Sequence, residues 1–341
     1  MLSEEEWAVL RRVPRKGKKG LKSADISAKF PKARYILRRL YDEGYVDRRP
    51  VGNTYAYFLI AKGQKFMTTT RDLILNQQKA WARRRGIRYD QKGYTLSLED
   101  NLFRPLSLET RKELESGRGD ELGGDADKPK MQALISSSAL AVNVFEYWRT
   151  RNVNAIAEMC GAPAGMTEMH FEQTHPTPLG RTPPHLDIEF RGPGLKPMAI
   201  ESKYTEPYQR RTKREIDDQY LNRGLWGQLS NCYRLIKRIR EEGAGQTSFA
   251  LLDVPQLLKH ILGLATAFGS TGFELLYLWY DFPSPEAEKH GQELVDFKAE
   301  LANEVNFEDM TYQELFKRIK QSPEADEDYV SYLAERYFPS V

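Results

Sequence analysis

Asp187 and Glu201 flank a turn-rich segment, and Lys203 follows the second acid by two residues. The stretch HLDIEFRGPGLKPMAIESKY, residues 185–204, reads as two short apolar-rich arms around Gly192, Pro193, Gly194 and Pro197, residues that turn the chain and interrupt strands. A turn centred near Gly194 sets Asp187 opposite Glu201, and the alternation of side chains along a strand puts Glu201 and Lys203 on one face. Like charges facing each other across a strand pair are destabilising, unless something cationic lies between them. A hard divalent ion meets that need: Mg²⁺ takes one or two carboxylates and completes its shell with water and phosphate oxygens. The plainer alternative is a surface ion pair between Glu201 and Lys203 worth ~0–1 kcal/mol, which leaves the opposing Asp187 without a reason.

The elements that must position these residues are legible on both sides. Upstream, MTEMHFEQTHPTP alternates Glu168, His170 and Glu172 along one face of an expected strand. Glu189 shares the Asp187 face nearer the turn and reads as an exposed strand residue. Downstream comes a basic cluster, Arg210, Arg211, Lys213 and Arg214, then an amphipathic helical stretch that carries Gln228. The cluster suits either a nucleic-acid backbone or a solvated first turn. SFALLDV and FELLYLWYDF read as buried strands, with QLLKHILGLATAF as a helix between them. KMQALISSSALAVNVFEYW is a long apolar helix; no nucleophile elbow surrounds Ser136, Ser137 and Ser138, so these serines read as structural. The order of elements predicts an α/β or α+β fold, a mixed sheet flanked by helices. The acidic C-terminal PEADEDYVSYLAERYF reads as a helix for packing or subunit contact.

Charge is distributed unevenly. The 341 residues carry a net +3, yet residues 1–98 hold 23 Lys/Arg against 9 Asp/Glu, so the remainder is net acidic. A basic segment on an acidic body suggests a polyanion-binding module. Two cysteines without a metal-binding spacing suit a reducing cytoplasm. Five scattered histidines offer no zinc pattern. No apolar run approaches a membrane span, and MLSEEEWAVL does not read as a secretion signal.

Residues 3–67 predict helix, helix, helix and hairpin. Ser3 and Glu6 make a capping box, KSADISAKF a short second helix, and PKARYILRRLYDEGYV a third that Gly44 ends. Two strands then surround Gly52 and Asn53. This order, with LRRLYDEGYVDRR followed by the Gly-Asn hairpin and IAKGQKF, resembles the winged helix-turn-helix family. The resemblance implies a DNA-binding domain over 1–67. Its third helix would carry Arg34, Arg38 and Arg39, its wing Arg48 and Arg49, and the preceding loop Lys18 and Lys19, chiefly as phosphate contacts. A helical connector and loop, 68–130, would follow; its Trp81 and Arg83–Arg85 either lie along DNA or form a charged helix face.

Asp187 with Glu201-Ser202-Lys203 resembles the PD-(D/E)XK nuclease superfamily, the restriction-endonuclease-like fold. DNLFRPLS, GDELGG, KMQALISSSALAVNVFEYW, the Phe171-Glu172 pair and AIESKYTEPY bring the likeness closer to its PGN_0703-like subgroup. The residue before Asp187 in the literal motif is replaced, because His185 and Leu186 separate Pro184 from it. The resemblance implies a nuclease domain over 131–341, with C-terminal helices, that hydrolyses phosphodiester bonds of double-stranded DNA. Mg²⁺, for which Mn²⁺ can substitute, would be held by Asp187, Glu201, the Ser202 carbonyl and Glu172, with Glu168 as the alternate acid. Lys203 would orient or deprotonate the attacking water, or stabilise the transition state. Gln228 would be the accompanying glutamine, although its spacing to Tyr233 exceeds the usual Q-x-x-x-Y. A homodimeric bacterial restriction or phage-defence enzyme follows by the same resemblance. The rivals are a non-catalytic DNA-binding regulator, with this domain used for dimerisation or sensing, and a nuclease for RNA or repair intermediates.

Overall fold

The computed structural model describes residues 4–14, 20–51, 53–59, 69–117, 121–123, 128–180, 184–209, 216–242 and 248–339. The chain divides into two units, Met1–Leu73 and Ile74–Val341.

In the first unit, helix α1 (Glu4–Leu10), a 3-10 turn (Ser23–Asp25) and helix α2 (Ala33–Asp42) precede an antiparallel hairpin, β1 (Val46–Val51) and β2 (Thr54–Leu59). Leu10, Leu37 and Leu40 meet in its small core. Gly44, at φ +73°, ends α2 as a left-handed cap, with Gly44 N donating to Tyr41 O and Tyr45 N to Leu40 O, a pairing that uses the last helical carbonyls. KSADISAKF yields only the 3-10 turn instead of a full second helix. The Asp25 carboxylate accepts the Lys22 N–H at 2.8 Å, so the local side chain competes with helix extension.

The second unit is built on a five-stranded sheet, β3 (Glu168–Thr174), β4 (His185–Arg191), β5 (Met198–Lys203), β6 (Glu274–Trp279) and β7 (Asn306–Thr311), in that spatial order. The first three strands are antiparallel; β5, β6 and β7 run parallel. Parallel neighbours need long crossovers. The first crossover contains helices α7 (Ser230–Glu242) and α8 (Val254–Phe268), and the second contains α9 (Pro285–Leu301). Helix α3 (Thr70–Arg84) enters the unit, α4 (Leu108–Ser116), α5 (Ser137–Arg149) and α6 (Val153–Met159) precede the sheet, and α10 (Tyr312–Gln321) and α11 (Glu327–Arg336) close it. Leu186, Ile188 and Phe190 of β4 face the apolar helix α5, where Phe145 packs 6.1 Å from Phe190 between ring centres. The opposite face carries the acids and is covered by α8. Ser136 caps α5 through the Ala139 N–H, a structural use of the serine cluster. Among the described residues no helix is long and apolar enough to cross a membrane, and Cys160 and Cys232 are free and buried.

Three segments depart from the sequence reading. SFALLDV is not a strand: Ala250, Leu251 and Leu252 donate their N–H groups to the Glu293 carboxylate of α9 at 2.7, 2.9 and 2.8 Å. The fifth strand is instead β7, NFEDMT, whose polar composition hides it; only Phe307 and Met310 within it are buried. Trp81 lies in the core, not on a DNA-facing surface, with the buried Arg336 guanidinium 4.3 Å from its ring centre. Residues from the stretch read as a connector, Leu98, Leu102 and Leu114, belong to the same core as the sheet.

Glu293 substitutes for a whole strand partner, so its removal is a stability test. Glu293→Ala leaves two buried N–H groups and a third, half-buried one without their acceptor and is expected to lower stability by about 2–4 kcal/mol, read as urea midpoint and thermal midpoint. An unchanged midpoint would show that the 250–252 backbone finds another acceptor.

Candidate active site

The site grows from one hairpin register. Ile188 pairs with Ile200, Glu189 with Ala199 and Phe190 with Met198, so the hairpin is centred on Gly194, which sits at φ +70°. One step further places Asp187 beside Glu201. There the regular ladder stops, because Asp187 Oδ2 accepts the Ser202 N–H at 2.7 Å. A backbone donor of β5 thus positions the acid of β4.

Glu201 is 1% exposed and Lys203 8%; a solvated surface pair is therefore ruled out. The Lys203 ammonium donates to Glu201 Oε1 and, at 3.1 Å, to Gln256 Oε1. His260 Nε2 lies 3.1 Å from Glu201 Oε2. Gln256 and His260 are one helical turn apart on α8, so both reach the same sheet face. On the other side of β4, the β3–β4 ladder pairs Phe171 with Ile188 and Gln173 with Leu186, and skips Glu172 opposite Asp187. Glu172 takes φ +52°, a left-handed conformation that costs a non-glycine residue of order 1–3 kcal/mol and is characteristic of functional positions. Gly117, at the end of α4, lies against it: a Cβ there would sit 3.1 Å from Glu172 Oε2. His185 Nδ1 approaches Glu172 Oε2 to 3.5 Å.

The electrostatics follow from crowding acids under cover. Burial, then the Glu201 charge, push the Asp187 carboxyl well above its ordinary range, with Lys203 opposing. Burial, then Glu121 and Glu201, raise Glu172 to about 7, with Lys130 opposing. Burial also works against the Glu201 charge, but Lys203 and His260 outweigh it and hold Glu201 down to about 2. For Lys203, burial favours the neutral amine, yet Glu201, Asp187 and Glu206 outweigh it and raise its pKa. One acid is thus firmly ionised while its two acidic neighbours resist ionisation, as expected where like charges share a site without a counter-charge.

The donor set suits a hard cation. Asp187, Glu201 and the Ser202 carbonyl offer oxygen only, and the raised Asp187 and Glu172 carboxyls are the groups a bound cation would relieve. Among the described residues no three His, Cys, Asp or Glu side chains form a set able to hold a metal ion. An ion here must complete its shell with backbone, water and substrate oxygens, which is the habit of Mg²⁺ and not of structural zinc.

Other sequence-derived candidates are distributed differently. Glu168 is exposed at the far end of β3, opposite Arg191 and 3.3 Å from His170 Nε2, so Glu172 is the acid brought beside Asp187. Gln228 is exposed just before α7; the glutamine that reaches Lys203 is Gln256. Glu189, expected to be exposed, is fully buried between His175 Nε2 and Arg191 Nε, each at 2.5 Å. Helix α8 closes over this face where Gly263 permits it, since a Cβ there would stand 2.5 Å from His175 O. In the first unit Arg34 and Arg38 are exposed on α2. Arg39 is instead engaged by Glu6 at 2.8 Å and Glu43 at 2.7 Å. The Arg48 guanidinium lies 4.1 Å from the Tyr41 ring centre and 4.4 Å from that of Tyr55, and Arg49 is exposed near Phe58. Lys18, Lys19, Arg210 and Arg211 lie outside the described residues. Gln256, His260, Glu121 and Lys130 were not singled out from sequence. The first two left a signal: polar residues four apart in the largely apolar QLLKHILGLATAF.

A mixed five-stranded sheet with flanking helices and this carboxylate–lysine cluster is compatible with a restriction-endonuclease-like fold. A family model described as restriction endonuclease associating with ARP matches residues 75–338, and the chain belongs to that family. Membership points to a nuclease-type function. No curated protein and no solved structure matches the chain.

The strain on Asp187 has a measurable sign. A carboxyl whose folded pKa is raised opposes folding in full above that pKa, and the penalty fades as pH falls toward the unfolded value. Asp187→Asn retains an oxygen for the Ser202 N–H, so at pH 8 without divalent ions it is expected to raise the thermal midpoint, with the gain vanishing near pH 4. A variant less stable than wild type at pH 8 would contradict the assigned electrostatics.

Proposed function

We propose that the chain is a Mg²⁺-dependent endodeoxyribonuclease of the PD-(D/E)XK superfamily and PGN_0703-like subgroup, a cytoplasmic restriction or phage-defence enzyme acting on double-stranded DNA. The observation that carries the reading is the buried Glu201–Lys203 pair set against Asp187 on one hairpin, with Glu172 on the adjoining strand. Asp187, Glu201, the Ser202 carbonyl and Glu172 are the ligands or water-holders for Mg²⁺. The chemistry bound Mg²⁺ supplies is a more acidic water and neutralisation of charge on the phosphate.

The chain's own groups do the rest. Lys203 keeps its proton beside Glu201 and Asp187, which favours donation to the attacking water or to a phosphate oxygen over proton removal. Gln256 holds the Lys203 ammonium from the helix side. Residues 1–67 serve as a winged helix-turn-helix reader, with exposed Arg34 and Arg38 on phosphates and Arg48 stiffened between two tyrosine rings. A homodimer would bring two such sites to two strands, and the family's description makes ARP a further candidate partner.

Supercoiled plasmid incubated with Mg²⁺ or Mn²⁺ is expected to be cut, and chelation is expected to stop cutting. Lys203→Ala is expected to lower the cleavage rate by about 10²–10³-fold with gel-shift affinity retained. Plasmid that stays intact with either ion, while the protein still binds it, would replace this reading with that of a DNA-binding regulator. For the reader unit, replacing Arg34 or Arg38 by Ala should weaken binding to all sequences alike and reduce the slope of log K against log salt by about 0.9 for each phosphate no longer neutralised. An unchanged slope would remove α2 from the interface.

A further inference from the structure

Helix α8 is apolar on its buried side, where Leu257, Leu258, Ile261 and Leu262 pack into the core. His260 interrupts that side. It is 1% exposed, its Nε2 stands 3.1 Å from Glu201 Oε2, and among the described residues neither ring nitrogen nor Glu201 Oε2 has a partner in hydrogen-bond geometry. A leucine would fill the position at no polar cost, whereas a buried imidazole is stabilised only by the partner it meets. The group that His260 Nε2 faces is a carboxylate oxygen of the candidate site.

The spacing is matched on both elements. Glu201 and Lys203 are two residues apart on β5, roughly 6.6 Å along a strand. Gln256 and His260 are four apart on α8, roughly 6 Å along a helix. The helix therefore meets both members of the pair at once, Gln256 on Lys203 and His260 on Glu201. Glu201 Oε1 accepts from Lys203, while Oε2 faces His260 Nε2 at ion-pair distance. A carboxylate oxygen has two lone-pair directions, so each keeps one for a cation.

We propose that His260 is a positioning residue: it fixes the rotation of the Glu201 carboxylate so that the remaining lone pairs of Glu201 are aimed at the ion shared with Asp187. This rests on the nuclease reading. The role is orientation through one close polar contact, Nε2 against Oε2, drawn into a hydrogen bond when the carboxylate turns to the ion, and it needs no change of charge on the imidazole.

The test compares the full-length wild type with His260→Leu and His260→Gln. Mn²⁺ binding is measured by calorimetry without DNA, plasmid cleavage with saturating Mn²⁺, and thermal midpoints for each protein. Loss of the orienting contact is expected to weaken Mn²⁺ binding by about 10–100-fold in His260→Leu and to lower kcat with KM for DNA unchanged. His260→Gln, whose amide N–H reaches the same oxygen, is expected to restore most of both. Should His260→Leu fail to fold, His260→Asn takes its place: its shorter amide falls short of Glu201, so it is expected to bind Mn²⁺ more weakly than His260→Gln. Wild-type Mn²⁺ affinity in His260→Leu overturns the proposal, as does a Gln variant no better than Leu or Asn. Failure of the nuclease reading is seen separately, in wild-type protein that neither binds Mn²⁺ nor cuts DNA, and the proposal falls with it.

Discussion

A buried ammonium and a buried carboxylate two residues apart on one strand set the terms for everything around them. Glu201 and Lys203 lie almost wholly under cover, where isolated charges are costly and a pair survives only with good geometry and further hydrogen bonds. The fold supplies these from three directions. Gln256 and His260 come from helix α8, Asp187 from the neighbouring strand, and the Ser202 backbone ties Asp187 in place. The result is over-determined in position and underprovided in positive charge. Asp187 and Glu172 absorb the deficit by resisting ionisation. Stability alone would not select such a cluster, and sites that do chemistry commonly carry strain of this kind.

The same constraint explains features farther out. Glu172 accepts an unfavourable backbone conformation that breaks the β3–β4 ladder opposite Asp187, and the absence of a side chain at Gly117 lets α4 close against it. Gly263 lets α8 descend onto His175, which buries Glu189 with its own two partners, His175 and Arg191. The polar face of the sheet is thus nearly continuous from Glu172 to Arg191, yet internally paired except around Asp187. On the opposite face the chain is ordinary: aromatic and aliphatic side chains from α5 and β4 pack together, and Tyr312 meets Ser202 through their hydroxyls at 2.6 Å. One face holds the sheet together, and the other holds the charges.

Much of this was legible in residue order. Gly194 and its neighbouring prolines announced the hairpin, and counting outward from it set Asp187 opposite Glu201. Apolar runs announced α5, α8 and β6. What escaped had a physical reason in each case. β7 is a polar strand at the sheet edge, where only alternate residues need burial. SFALLDV has a strand's composition but satisfies its backbone on one distant carboxylate. Gln228 and Gln256 are both glutamines in helical surroundings, and only the crossover path tells which one arrives at Lys203.

From sequence alone came the local facts: where the hairpin turns, which acids fall in register, and which segments are apolar enough to be buried, because these depend on residues within a turn or two of each other. Tertiary structure decided the rest. It decided that the Glu201–Lys203 pair is buried and not solvated, that Glu189 is sequestered, that Arg39 is already engaged, and that a helix over fifty residues away completes the cluster. Burial and long-range pairing depend on which elements pack together in space, and no local pattern of residues encodes that distance.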